Sequence, residues 1–477
     1  MAAIPGLGLM EEAVPTVTSS REFELPPFGE YCFEVGFGGP GITIKLLSGT
    51  AEKDGTELNL NHSYHFSSVK SKILTLQGCK LEVDGACDRE WVVKDVQPAE
   101  NVANMYVNMH FKLHNERLEA AARGKTGPRI LIAGAPNSGK TTCVKTLASY
   151  ATRMGDQPLV VNLNPDEGIL TLPGTLSAAV FASMMDIESR QGWGAAPASG
   201  PGSIPPKLPI VHFYGHQTVE DDAGLYREIA TTLAESVSAR LSEDPSVKRS
   251  GLIIDTAGIE PDNKEGLDIL SHIISEFSVN IVITIDSKNL EEELKAILKD
   301  EIAQSEEPIH ILNIGKSRFI PERDELWLLQ EREADIKEYF FGDTRMVLSP
   351  STQLVDFDTL TIFKLPDSEF SSKFLDIENP VADTVARKDG EYTPDAKALE
   401  RIKPSADMVH WTLAIMQASV KDSPEAIRTS LVLGFVYVAH VDVEKSKMKL
   451  LAPLPGRLGD RPLILGKWPE PHVNLLG

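Results

Sequence analysis

Short alternations of apolar and polar residues open the chain. Between residues 21 and 100, "EYCFEVGF", "GITIKLLSG", "SYHFSS", "KILTLQG" and "CKLEV" are divided by Gly, Asn and Asp. A period of two with one buried face marks strands, and regular turn residues between them predict a small β-sandwich or barrel. "NMYVNMHFKLHNERLEAAARGK" then changes to a helical period and carries the chain to a new unit.

From residue 128 the pattern changes again. Apolar runs at "RILIAG" (129–134), "PLVVNL" (158–163), "PIVHFYG" (209–215), "GLIID" (251–255), "NIVITID" (280–286) and "PIHILNIG" (308–315) alternate with helical stretches such as 140–152, 221–242 and 288–299. Strands that are apolar throughout, with helices between them, predict a parallel sheet covered on both faces. "QGWGAAPASGPGSIPPK" (191–207) is rich in breakers and reads as a surface insertion. A third unit starts near residue 343. It has strand-like "TLTIFKL" (359–365) and "LVLGFVYVAHV" (431–441), with a helix-like "PSADMVHWTLAIMQAS" (404–419) between them, and predicts a small α+β domain.

Composition narrows this picture in three ways. At 477 residues, 42% apolar and 24% charged, the chain is an ordinary globular protein of two to four domains. No run reaches the length of a membrane span. The first 20 residues carry Glu11 and Glu12 with no basic start, and read as a tail rather than a signal peptide. Cys32, Cys79, Cys87 and Cys143 show neither CxxC nor zinc spacing, as expected of reduced thiols in a cytosolic or nuclear protein. The net charge of −22 repels polyanions, so direct RNA binding over the whole surface is disfavoured, while contact through protein partners stays open.

The chemistry concentrates at "GAPNSGKTT". Gly134, Ala135, Pro136, Asn137, Ser138, Gly139, Lys140, Thr141 and Thr142 fit G-x-x-x-x-G-K-[ST] between a strand and a helix. The glycines let backbone amides wrap phosphates, Lys140 supplies a point charge, and the Thr141 hydroxyl can ligate Mg²⁺. The helix that follows directs its N-terminal amides at the same anion. Asp255 ends the apolar strand "GLIID", at the sheet edge where ligands of open α/β sheets bind. Asp255–Thr256–Ala257–Gly258 also has the DxxG shape of a nucleotide switch.

Together these stretches resemble the polyribonucleotide 5′-hydroxyl-kinase family, and within it the fungal subunit of pre-mRNA cleavage factor IA. The resemblance rests on "LLSGTAEKDGTELNLNHSYHF", the cradle, "LTLPGT" (170–175), "SGLIIDTAG", "IKEYFFG" (336–342) and "LLAPLPGRL" (450–458). It implies an N-terminal all-β domain (21–120, with its linker helix), a central P-loop NTPase domain (121–342) and a small C-terminal domain (343–477), after a tail of residues 1–20. It implies ATP with Mg²⁺, and the N-terminal domain closing over the base through Glu30 and Lys70. It also implies a nuclear complex that cleaves and polyadenylates pre-mRNA, in which the central domain contacts a scaffold subunit with a polymerase-tail-interacting domain.

The sequence departs from the active kinases of that family in three places. Their pattern after the second strand resembles D/E-x-D-x-G-Q. Here it reads Asn162–Leu163–Asn164–Pro165–Asp166–Glu167, and an amide cannot take a proton from a hydroxyl. Their RNA clamp resembles T-P-x-x-N. Here it reads Thr218–Val219–Glu220–Asp221–Asp222, which is either a repulsive face for RNA or a solvated helix start. Of the lid arginines, Arg323 and Arg332 remain, and the pair between them is Leu328 and Leu329, which cannot balance developing charge. These departures predict no catalytic residue. The expected function is an ATP-binding scaffold that touches RNA only through its partners. Two rivals stay open: an active RNA 5′-hydroxyl kinase using Asp166 or Glu167, and a slowly hydrolysing switch.

Overall fold

The computed structural model describes residues 20–94, 101–193, 207–299, 302, 307–343, 347–366, 399–453 and 460–476. The expected tail up to residue 19 and residues 194–206 of the breaker-rich insertion lie outside them. The chain divides into two compact units: Met1–Ala51 with Glu57–Asp95, and Glu52–Thr56 with Val96–Gly477.

The first unit is a sandwich of antiparallel strands. Its strands are β1 (Arg21–Leu25), β2 (Glu30–Val35), β3 (Ile42–Gly49), β6 (Ser63–Phe66), β7 (Val69–Leu74), β8 (Cys79–Gly85) and β9 (Arg89–Val93); the two-residue strands β4 (Glu52–Lys53) and β5 (Thr56–Glu57) lie between β3 and β6 in the chain, in and beside the segment Glu52–Thr56 that is grouped with the second unit. One sheet has the order β1-β8-β3-β6, and β2 pairs on its two sides with β7 and β9. Along β3 the predicted alternation buries Ile42, Ile44 and Leu46. Phe33 of β2 meets Phe66 of β6 at a centroid distance of 5.2 Å and joins the two layers.

The second unit begins with α1 (Val102–Arg123), capped by Asn101 and ended by Gly124 in the left-handed conformation. Then follow β10 (Arg129–Ala133), α2 (Lys140–Arg153), β11 (Leu159–Leu163), β12 (Thr175–Val180), β13 (Lys207–Phe213), α3 (Ala223–Glu243), α4 (Pro245–Ser250), β14 (Leu252–Thr256), α5 (Lys264–Glu276), β15 (Ile281–Ile285), α6 (Lys288–Ile297), β16 (His310–Ile314) and α7 (Glu325–Phe341). The sheet order is β13-β12-β11-β14-β10-β15-β16. Side chains of β10 alternate between two cores. Ile130 and Ile132 pack with Leu113 of α1 and Leu147 of α2, whereas Leu131 and Ala133 pack with Leu225 of α3 and Leu270 of α5. This is the doubly covered sheet expected from the apolar runs. It is mixed rather than wholly parallel, because β12 runs antiparallel to both β11 and β13. "TLSAAV" hides from pattern reading because Ala and Ser carry little strand preference.

The remaining strands are β17 (Ser351–Asp356), β18 (Thr361–Lys364), β19 (Glu400–Ile402), β20 (Thr412–Met416), β21 (Val432–Asp442), β22 (Lys447–Ala452) and β23 (Pro462–Leu465), with α8 (Pro424–Thr429) before β21. They form one sheet in the order β17-β22-β21-β20-β23-β18-β19. The helix expected over 404–419 is not formed. A 3-10 turn at Ala406–Met408 leads into β20, which pairs with β21 and β23. Leu413 points into one core, and Ala414 and Met416 into the other. A short run that is apolar on both faces fits either period, and here the flanking strands decide. The core on the α3 side of the central sheet continues without a break through Phe213 and Tyr339 to Phe435 and Ile464 of the C-terminal sheet.

Candidate functional site: a phosphate cradle and its neighbouring carboxylates

The cradle lies between β10 and α2. Asn137 and Gly139 have positive φ values of 54° and 95°. A φ near 95° suits glycine and few other residues, so Gly139 is required by the turn itself. Each of the other seven described α-helices has a side chain capping its first amides: Asn101, Asp222, Asp244, Asn263, Ser287, Asp324 and Ser423. Helix α2 starts at Gly139 with no such cap, which leaves its first-turn amides for an anion. The Ser138 hydroxyl is buried and has no partner, as suits a group awaiting a ligand.

Lys140 lies in the centre of the loop. Its ammonium donates to the carbonyls of Gly134 (3.2 Å) and Ala135 (2.9 Å) and touches no carboxylate. Burial lowers it from its ordinary value, and the fields of Asp255 and Glu167 counter this in part. A desolvated ammonium held only by neutral carbonyls gains from a phosphate. The Thr141 hydroxyl donates to Asp255 Oδ2 at 2.6 Å, and Asp255 Oδ1 is buried without a partner. Burial pushes the Asp255 carboxyl up to about 6. A carboxyl raised in this way favours folding when protonated, and that contribution is lost as pH rises from about 4 to about 6. An adjacent hydroxyl and carboxylate with a vacant lone pair fit Mg²⁺, which takes one or two protein ligands together with phosphate oxygens. Among the described residues no group of three or more His, Cys, Asp or Glu side chains is arranged to hold a metal. Thr142 is exposed at the helix start, its carbonyl accepting from Thr146 Oγ1 at 2.8 Å.

The DxxG segment is bound to the cradle. Ile259 N donates to Gly134 O at 3.1 Å. A Cβ on Gly258 would stand 2.7 Å from Pro136 N and 2.8 Å from its Cα. Since backbone cannot give way, Gly258→Ala is expected to displace the loop. We expect the overpacking to cost about 1–3 kcal/mol of stability and ATP affinity to fall, read by calorimetric titration with ATP–Mg²⁺; unchanged affinity would mean that the phosphate-binding amides keep their places.

Beside the cradle, β11 places Asn162 level with Asp255 of β14. The Asn162 side chain is fully buried. Its Nδ2 donates to the carbonyls of Asn164 (3.3 Å) and Glu167 (3.0 Å), and its Oδ1 accepts from Asn164 N (3.0 Å). Asn164 Oδ1 accepts from Asp166 N at 3.3 Å, and Asp166 accepts from Gln217 at 3.1 Å. The two asparagines therefore build the turn. Glu167 closes it on the cradle side, where its Oε1 accepts from Arg323 at 2.6 Å while the same guanidinium nitrogen reaches Asn137 Oδ1 at 2.9 Å. Burial alone would push the Glu167 carboxyl up, but Arg323, with Lys140 and Lys145, holds it below its ordinary value.

The three acids of the clamp segment are taken up locally. Asp222 caps α3 through Leu225 N, Asp221 accepts from Thr218 N, and Glu220 accepts from Asn263 Nδ2. The two lid arginines diverge. Arg323 reaches the cradle, whereas Arg332 donates to Glu470 Oε1 from Nη2 (2.6 Å) and Nε (3.0 Å) and to Oε2 from Nε (3.2 Å), and stacks over Trp468 at 4.4 Å. Leu328 and Leu329 are half-buried on α7.

In the first unit, Glu30 is buried and pairs with Lys72 at 2.6 Å, while Lys70 lies 3.9 Å from Glu34. The structure brings Glu30 to Lys72 rather than to Lys70. Both lysines lie on one face of β7, so alternation could not separate them; only the register of β2 against β7 does. Sequence reasoning also missed Lys145 of α2, whose ammonium stands 6.0 Å from the Trp193 ring, and Arg190, which is held by Asp335 and Glu338 of α7. Neither belongs to a motif with a recognisable spacing.

Comparison with known proteins gives a consistent result. Residues 134–342 match the family described as mRNA cleavage and polyadenylation factor CLP1 P-loop. Residues 348–470 match pre-mRNA cleavage complex II protein Clp1, and residues 24–120 match the N-terminal beta-sandwich domain of polyadenylation factor. The chain is 46% identical to the mRNA cleavage and polyadenylation factor CLP1 of Pyricularia oryzae and 42% identical to that of Botryotinia fuckeliana, over 100% of both chains in each case. Its fold is similar to that of Clp1p solved with residues 454–563 of Pcf11p, at a TM-score of 0.80 and 27% identity over 94% of this chain and 98% of that one. A second such structure, with the same score and identity and covering 99% of its chain, describes an extended Pcf11p–Clp1p interface and the basis of ATP loss in a glycine-to-arginine mutant. Matched in order along nearly its whole length, the chain belongs to the Clp1 family of mRNA cleavage and polyadenylation factors.

Proposed function

We propose that this protein is an ATP-binding scaffold subunit of the nuclear machinery that cleaves and polyadenylates pre-mRNA. It holds ATP with Mg²⁺ without significant turnover and bridges protein partners. Among them is a cleavage factor IA scaffold subunit with a polymerase-tail-interacting domain; that the structural neighbours were solved in complex with Pcf11p supports a protein partner. RNA is contacted through those partners, in keeping with the net charge of −22.

The observation that carries this reading is the contrast between cradle and turn. The cradle has every part that a triphosphate needs: an uncapped helix start, a desolvated lysine, and a hydroxyl–carboxylate pair for the metal. Where the active kinases of the resemblance carry carboxylates, an asparagine amide closes the turn with two donated hydrogen bonds. Bound ATP at a thousandfold excess over its Kd would stabilise the fold by about 4 kcal/mol. Lys140, Thr141 and the backbone amides of residues 134–142 other than Pro136 hold the phosphates, and Asp255 with Thr141 receives the metal. By the resemblance, Glu30 and Lys70 remain the candidates for the base.

Chromatography of nucleotide released from denatured purified protein tests the reading. Intact ATP near one per chain is the expected result, with no phosphate transferred to a 5′-hydroxyl RNA. One observation favours a second reading, in which Glu167 is the base of an RNA 5′-hydroxyl kinase: its carboxylate lies beside the cradle. Its pairing to Arg323 opposes that role. Recovered ADP, with RNA phosphorylation that Lys140→Ala abolishes, would replace the scaffold reading by the kinase.

A further inference from the structure

Residues 466–472 follow the last strand of the C-terminal sheet and run across the central domain. Both Lys467 N (2.8 Å) and Trp468 N (3.1 Å) donate to Gly215 O. Tyr214 N (2.9 Å) and Gly215 N (2.8 Å) in turn donate to Gly174 O, and Gly174 N donates to Pro165 O at 2.7 Å. A backbone ladder thus leads from the segment to the "NLNPDEG" turn. The packing along it is tight, since a Cβ on Gly174 would stand 2.6 Å from the Trp468 carbonyl oxygen.

The same segment grips α7. Glu470 takes the Arg332 guanidinium through both oxygens, and Trp468 lies under it. One turn of chain later, His472 Nδ1 stands 3.3 Å from Glu333. The segment is then anchored to the C-terminal sheet, where His472 N donates to His410 O (2.9 Å) and His472 O accepts from Tyr437 Oη (3.0 Å). Arg323, which pairs with Glu167 at the cradle, sits just before the same helix.

We propose that residues 466–472 form a strap that locks α7 and the "NLNPDEG" turn into one block, with the Arg332–Glu470 pair as its latch. Arg332 is then a positioning residue and not a phosphate ligand. The strap holds α7 in place, and with it Arg323 over the mouth of the cradle. Nucleotide escape therefore requires the latch to open. This regulatory role rests on the ATP-holding reading, but the locking of α7 does not.

The test uses the full-length protein. Glu470→Gln keeps the shape and removes the charge, and Arg332→Glu with Glu470→Arg restores a pair of reversed sign. Hydrogen–deuterium exchange of α7 and of residues 162–174 reads the lock, and release of a fluorescent ATP analogue reads its effect on the site. For Glu470→Gln we expect roughly tenfold faster exchange in both segments, as for the loss of one charge-assisted two-oxygen pair. Analogue release should quicken alongside, and the reversed pair should restore both. Exchange that rises only within residues 466–476, or in neither segment, would overturn the strap. So would faster exchange that the reversed pair fails to rescue. If the wild-type protein binds no ATP analogue, the ATP-holding reading fails while the exchange result still decides the strap.

Discussion

Lys140→Ala is expected to yield protein that purifies without nucleotide. The wild-type ammonium is buried, held only by the carbonyls of Gly134 and Ala135, and lowered by desolvation. A phosphate would replace weak neutral contacts by charge-assisted ones, so the lysine gains most when ATP binds. Removing a charged hydrogen-bond donor costs about 3 kcal/mol at the upper end, or roughly 10²-fold in Kd. At an ATP concentration a thousandfold above the wild-type Kd, ligand stabilisation would drop from about 4 to about 1.4 kcal/mol. Thermal unfolding with and without ATP–Mg²⁺ measures this directly. The nucleotide-dependent rise in Tm should shrink by more than half. The nucleotide-free variant should unfold no earlier than nucleotide-free wild type, because a desolvated charge has been removed. A variant that still carries one ATP per chain would show that the amides of α2 hold the phosphates without the lysine.

What could be read in the sequence followed from how local the determinants were. Four of the six apolar runs of the central domain, β10, β11, β14 and β15, are buried on both faces, and such runs are visible without knowing their neighbours. The cradle was legible because its parts are consecutive in the chain. β12 and β20 were not. "TLSAAV" carries little strand preference of its own, and "TLAIM" serves a sheet only because β21 and β23 flank it. The same limit applies at the site. Glu167, Arg323 and Asn137 meet across 186 residues of sequence at most, and no spacing rule anticipates that contact. Arg332 matched its place in the resemblance, yet its guanidinium belongs to Glu470 and Trp468. A motif reports which residue is present; its partner is decided by the fold.

The second large effect is expected at Asn162, and it separates the two asparagines of the turn. Asn164 uses only its oxygen in the turn, accepting from Asp166 N. An aspartate keeps that bond, so Asn164→Asp should change stability by no more than about 0.5 kcal/mol. Asn162 uses both ends of its amide. Asn162→Asp keeps the acceptor for Asn164 N but sets a carboxylate oxygen against the carbonyls of Glu167 and Asn164, 3.0 and 3.3 Å away, at a fully buried position. Losing these donors costs about 1–3 kcal/mol, more when the new group is charged. Burial among carbonyls would raise the introduced carboxyl, because its protonated form alone can donate. The deficit relative to wild type should therefore be smallest in acid and grow as pH rises through the raised value. Denaturation midpoints across pH, with the ATP content of each preparation, measure both effects. Neither variant is expected to phosphorylate a 5′-hydroxyl RNA, because Asn162→Asp disrupts the turn and Arg332 is held by Glu470 and Trp468 in both. If Asn162→Asp proved as stable as wild type and phosphorylated RNA, the amide network would be incidental, and position 162 would be a catalytic site one substitution from activity.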